Sequence, residues 1–102
     1  MSAGNKQRGP RRDPVPLTPA YTQRFLDHRG YWERTDPKLA QRLDRLVNEV
    51  VDSPFEGIGK PEALKENWQG YWSRRLTEEH RLVYRVVGSF AVFMSAKYHY
   101  PR

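Results

Sequence analysis

The clearest signal in the chain is an apolar stripe in its second quarter. Leu39, Leu43, Leu46, Val47, Val50 and Val51 recur with the period of a helix, while Lys38, Gln41, Arg42, Asp44, Arg45, Asn48, Glu49 and Asp52 fall off the stripe. Such spacing lays one apolar face along a helix and predicts that it packs on a sheet. Thr35 and Asp36 ahead of Pro37 supply the start, because their side chains cap free N–H groups and proline is tolerated in a first turn. Ser53-Pro54 supplies the stop, since the residue before a proline is pushed out of the helical region.

An earlier helix is expected from Thr18-Pro19 by the same signal. Tyr21, Phe25 and Trp32 follow at roughly helical spacing, and Gly30 marks a break or kink. His28 within it reads as a surface or half-buried residue rather than a ligand. Residues 54–61 are turn-rich. Gly57, Gly59 and Lys60 resemble a phosphate cradle only loosely, because the Walker spacing and the preceding strand are missing, and the glycines read instead as letting the chain cross the sheet edge. Residues 61–65 fit one helical turn, with Glu62 near its positive end.

The rest reads as strands. Residues 71–76, 81–87 and 90–100 are rich in β-branched and aromatic side chains, joined by residues 77–80 and by Gly88-Ser89. The fold class is therefore α+β, two N-terminal helices packed on an antiparallel β-sheet. If Leu82, Tyr84 and Val86 share a face with Phe90, Val92, Met94, Ala96 and Tyr98, Val86 must oppose Phe90 across a three-residue loop. In that register Arg81, Arg85, Lys97 and His99 fall on the face away from the helices. Arg75 can join them from the first strand and Glu62 from the loop.

Composition narrows the class. The 102 residues suffice for one domain, and zero cysteines exclude disulfides, cysteine zinc sites and thiol catalysis. There is no run of about 18 apolar residues to cross a membrane. The N-terminus has basic residues but no apolar core for a secretory signal, so a soluble cytoplasmic protein is expected. Residues 1–16, rich in Gly, Pro and Arg, are expected to be a disordered basic tail, with residues 17–102 the single domain. Of the net charge of +6, residues 1–14 hold four Lys/Arg against one acid, residues 15–53 six against six, and residues 54–102 eight against five. The basic, aromatic-rich second half would attract a polyanion by counterion release, or an acidic protein segment.

One chemistry fits these residue types. RNA is cut without metal or cofactor when a base takes the 2′-hydroxyl proton, an acid protonates the leaving 5′-oxygen, and cations hold the phosphorane oxygens. Glu62 suits the first task, His99 the second and Arg81 the third, since its planar fork matches phosphate. Arg75 and Lys65 could hold neighbouring phosphates, Arg74 and Lys97 add cations, and Tyr100, Tyr71 or Trp72 could stack bases. Each residue also has a plainer reading. Glu62 could be a solvated first-turn carboxylate, His99 a surface residue near the end of the chain, and Arg81 and Arg85 partners of Glu78 or Glu79.

The stretch PFEGIGKPEALKENWQGYWSRRLTEEHRLVYRV, closed by AKYHY, resembles the Txe/YoeB toxin family of the RelE-like superfamily. The matching motifs are PFxGxGKPExLK, GYWSRR, EEHRLVY and YHY, nearly continuous over residues 54–100. The resemblance implies a RelE-like fold and the toxin of a type II toxin-antitoxin pair, a ribosome-dependent endoribonuclease cutting mRNA in the A site without metal. It implies an acidic YefM/Phd-type antitoxin, ribosome and mRNA as partners, operator DNA only through the toxin-antitoxin complex, and room for a homodimer. The family's catalytic Glu, Arg and His fall on Glu62, Arg81 and His99, and supporting positions on Lys65, Arg75 and Tyr100. Two departures stand out: the family's opening strand is poorly represented by residues 15–17, and the chain runs past YHY into Pro101-Arg102. The rival reading is a non-catalytic module that binds RNA, the ribosome or an acidic protein. A corepressor acting alone finds no helix-turn-helix pattern to support it.

Overall fold

The computed structural model describes residues 15–98, so residues 1–14 of the basic tail expected over residues 1–16, together with His99 and Tyr100, lie outside the described residues. The long stripe behaves as its spacing requires. It forms a helix, here α2 (Pro37–Asp52), capped where the Asp36 carboxylate accepts the Leu39 N–H. Leu39, Leu43, Leu46, Val47 and Val50 are buried, and Val51 packs partly buried against the core they build.

The first helix starts later than the Thr18-Pro19 signal predicts. Thr18–Tyr21 is instead a strand, β1, and α1 (Gln23–Thr35) is capped by Thr22, whose hydroxyl accepts the Phe25 N–H. Tertiary pairing overrides the local cap. Tyr21 stacks on both Phe25 and Phe93, which also touch each other, a three-ring cluster that a helix from Thr18 would leave apart. Pro19 is tolerated because β1 is an edge strand. The family-like opening strand is thus present, three residues downstream of its expected place, and α1 continues through Gly30 without a break.

Next come β2 (Glu62–Ala63), a single 3-10 turn at Glu66–Trp68, β3 (Trp72–Arg75), β4 (Arg81–Val87) and β5 (Phe90–Ser95). The helical turn expected over residues 61–65 is absent, because Glu62 and Ala63 find ladder partners in Ser73 and Trp72. Glu62 therefore sits on a strand, not at a helix N-terminus. Among the described residues the sheet order is β1-β5-β4-β3-β2, antiparallel except for β1, which runs parallel to β5. The sheet is mixed, and the α+β class stands. No helix among the described residues is long and apolar enough to cross a membrane.

The β4–β5 register differs from the expected one. Gly88, at φ +59°, lets a two-residue turn set Val87 opposite Phe90 and Tyr84 opposite Phe93. The core face of β5 is consequently Ala91 and Phe93, both fully buried, while Phe90 is 46% exposed. A bulge then inserts Met94, so that Val83 opposes Ser95 and Ala96 returns to the core. Leu82 and Tyr84 of β4 keep the expected even-numbered core face, whereas in the C-terminal stretch only Ala96, past the bulge, does so.

Arg74 is the largest departure from the sequence reading, which placed it among RNA-binding cations. It lies on the helix-facing side of β3 and is fully buried. Its guanidinium donates to the carbonyls of Ile58 at 3.1 Å, Glu56 at 2.8 Å and Ser53, and to the Tyr84 hydroxyl at 3.2 Å. That hydroxyl donates onward to the Pro54 carbonyl at 2.6 Å. Gly57 and Gly59 serve this knot rather than a phosphate. Gly59 has φ +84°, and a Cβ there would stand 3.1 Å from Arg74 Cβ and from Leu46 Cδ2.

Arg74→Met should therefore lower unfolding free energy by about 3–5 kcal/mol in urea titrations, because several buried carbonyls lose their only charged donor. A loss under about 1 kcal/mol would mean the carbonyls reach water. Gly59→Ala should cost about 1–3 kcal/mol in the same assay, from left-handed strain and crowding.

Candidate active site

The face of the sheet away from the helices is laid out in rows by strand register. Glu62 of β2, Ser73 of β3, Val83 of β4 and Ser95 of β5 are cross-strand neighbours, and their common side is the far one. One row further, Arg75 opposes Arg81. Residues 73, 83 and 95 are buried and form the floor. The long polar side chains stand over it.

Arg81 is the hub. Its Nη1 lies 3.2 Å from Glu62 Oε1 and 3.1 Å from Ser73 Oγ. The guanidinium side chain is 16% exposed, whereas the Glu62 side chain is 62% exposed. An arginine held from two strands thus presents its fork beside a carboxylate that water or a ligand can reach. The plainer pairing of Arg81 with Glu78 or Glu79 is not what forms. Ser73 escaped the sequence reading because a neutral, small residue carries no charge signal, though alternation along WSRR would have put it beside Arg75.

The other candidates separate. Arg75 is exposed directly across from Arg81. Lys65 lines an open groove with Glu62, Leu64, Glu66 and Trp68. Trp68, not anticipated, stands edge-on to Tyr71 at 5.1 Å, and Tyr71 in turn receives Arg85 through its hydroxyl at 3.1 Å and under its ring at 5.2 Å. Trp72 is no stacking platform on this face. It packs against the core from the helix side, with Phe55 at 4.8 Å. Lys97 also leaves the group, its ammonium sitting 4.0 Å over the Tyr31 ring of α1.

His99 and Tyr100 lie outside the described residues, but the chain leading to them is placed. Tyr98 holds φ +60°, and its carbonyl accepts the Arg81 N–H at 2.9 Å. His99 is bonded to that carbonyl carbon. A solvent-reachable carboxylate beside a fixed guanidinium suits proton transfer and charge stabilisation at a phosphate.

Residues 21–100 match the family model described as the YoeB-like toxin of bacterial type II toxin-antitoxin system. The chain is 47% identical over 80 residues to Toxin YoeB of Escherichia coli strain K12, covering 78% of this chain and 95% of that protein. Among solved structures it is similar to the YoeB/ParE toxin from Agrobacterium tumefaciens, with TM-score 0.79, 40% identity, and coverage of 82% of this chain and 100% of that one. It is also similar to YoeB in the heterotetrameric YoeB-YefM toxin-antitoxin complex from Staphylococcus aureus, with TM-score 0.74, 37% identity, and coverage of 84% and 100%. With the matched span reaching from β1 through the Glu62–Arg81 pair to the end of the sheet, the chain belongs to the YoeB family of type II toxin-antitoxin toxins.

Proposed function

We propose that this toxin is a ribosome-dependent, metal-independent endoribonuclease that cleaves mRNA in the A site. The observation that carries the reading is the Arg81 guanidinium, tethered to Glu62 and Ser73 on the far face of the sheet. Glu62 takes the proton from a ribose 2′-hydroxyl, and the freed oxygen attacks the adjacent phosphorus. Arg81 neutralises the equatorial oxygens as charge builds there. The bond from phosphorus to the 5′-oxygen breaks, His99 gives that oxygen a proton, and the products are a 2′,3′-cyclic phosphate and a 5′-hydroxyl. Glu62 gains the proton that His99 loses, so the exchange balances.

Lys65, exposed beside Glu62 in the same groove, and Arg75, exposed across from Arg81, hold flanking phosphates. Tyr100 stacks on a base. Arg74 and Lys97 drop out of this set, because one guanidinium is buried in a carbonyl cage and the other ammonium rests on Tyr31. In the cell an acidic antitoxin of the YefM type covers the face around residues 75–85 or displaces the end of the chain. With it the toxin represses its own operon. The YoeB-YefM heterotetramer of the Staphylococcus aureus relative supports that partnership.

Growth arrest on expression in bacteria and truncation of mRNA at A-site codons on programmed ribosomes are the expected results. Glu62→Gln, Arg81→Ala and His99→Ala should each lower the single-turnover cutting rate about 100- to 10,000-fold. Ribosome binding with no cutting by the parent chain would leave only the non-catalytic binding module. Glu62→Gln should at the same time leave unfolding free energy within about 1 kcal/mol, since an ion pair with so exposed a carboxylate adds little stability. A larger loss would mark the pair as structural.

A further inference from the structure

The β4–β5 ladder ends at Val83 and Ser95, yet the next residues remain tied down. The ties come from two imidazoles. Nδ1 of His28, on α1, accepts the Ala96 N–H at 2.9 Å, and Nδ1 of His80, just before β4, accepts the Tyr98 N–H at 2.7 Å. The carbonyls are held too, Ala96 by the Trp32 indole N–H at 2.8 Å and Tyr98 by the Arg81 N–H at 2.9 Å. Both backbone groups of residues 96 and 98 thus have partners. The rings of Trp32 and His80 lie 4.7 Å apart, and those of His80 and Tyr98 5.1 Å.

Tyr98 needs that grip. A tyrosine at φ +60° is strained by roughly 1–3 kcal/mol and keeps this conformation only where its surroundings impose it. From these contacts we infer that His28 and His80 are positioning residues, a pair of uncharged imidazole acceptors that hold residues 96–98 in place and thereby set where His99 starts. The catalytic consequence rests on His99 acting as the acid in the reading above; the grip itself does not.

The device is sensitive to protons. An imidazole nitrogen accepts a hydrogen bond only while it carries no proton, and a protonated ring would set two N–H groups against each other. His28 has its pKa lowered from the ordinary 6.5 by burial first, then by Lys97 and Arg24, with Asp27 opposing and His80 adding to the effect. Lys97, Arg24 and Asp27 are the charged groups facing it from the C-terminal segment and α1, and His80, just before β4, adds its effect only when protonated. A depressed folded-state value means that the neutral ring's contribution is complete above the ordinary value and is lost as pH falls through the lowered one.

Isotope-labelled full-length protein, followed by NMR between about pH 5 and pH 8 across the histidine range, tests the grip directly. Both rings should carry their proton on Nε2 at the upper end, and the Ala96 and Tyr98 amide signals should move with the same midpoints as the rings. A proton on Nδ1 of either ring, or amides indifferent to ring titration, would overturn the inference. Single-turnover cutting on programmed ribosomes tests the consequence. His28→Phe should slow the rate about tenfold, the loss of about one hydrogen bond's worth of positioning. His28→Asn places an acceptor oxygen near the Nδ1 position, and should restore the rate to within about threefold while shifting the acid limb to lower pH. Equal rates for the parent and His28→Phe at every pH would refute the positioning role. A parent chain that does not cut at all would instead sink the proposed reaction and leave the ring and amide signals to decide the grip.

Discussion

A buried guanidinium organises this molecule. Arg74 sits where a strand would ordinarily place an aliphatic side chain, and it substitutes for packing by gathering three loop carbonyls and a tyrosine hydroxyl around one cation. Taking such a charge out of water is expensive unless its donors are satisfied, so the loop of residues 53–58 has little freedom once β3 is in place. Because side chains alternate along a strand, burying Arg74 sends Ser73 and Arg75 to the opposite face. The interior contact and the candidate active site are two sides of the same four residues. Arg42 of α2 reinforces this by donating to the Leu76 carbonyl at 2.8 Å, which ties the stripe helix to the end of β3.

The two arginines at neighbouring ladder positions show how exposure decides use. Arg74 is sealed and uncoupled from any ligand, whereas Arg81 keeps its fork near the surface beside a solvated carboxylate. Both are hydrogen-bonded, so the number of contacts does not separate them. What differs is the partner. Backbone carbonyls fix Arg74 permanently, while Glu62 and Ser73 hold Arg81 through side chains that a phosphate could replace.

How much of this could be read from residues alone depends on the range of the interactions. α2 was legible because its stripe, cap and stop all act within a few residues. The start of α1 was not, since the local Thr-Pro signal lost to the stacking of Tyr21 on Phe93, a contact between residues far apart in the chain. The β4–β5 register failed for a related reason. Its parity is set by Gly88 in a two-residue turn and then reversed by a bulge at Met94, and a bulge leaves no mark in an apolar–polar pattern. Among candidate site residues, alternation along the strands placed Arg75 and Arg81 on the far face, whereas Glu62, expected on a helical turn, reaches that face from a strand. Arg74 and Lys97 were misread because charge alone does not say which side of a strand faces water, or that an aromatic ring waits for an ammonium.

The histidines complete the picture. The chain has three, and two of them spend a ring nitrogen on the backbone that leads into the third. Ordinary strand pairing could have held the same residues without any titratable group, since β4 already supplies a ladder for β5. The ladder ends at Ser95, one residue past the Met94 bulge, and beyond that point the amides of Ala96 and Tyr98 donate to side chains rather than to a neighbouring backbone. An acceptor is required there, and imidazole is one whose capacity ends when it takes up a proton. Past the bulge that precedes Ala96, the hold on this end of the sheet thus passes from ladder pairing to groups that titrate.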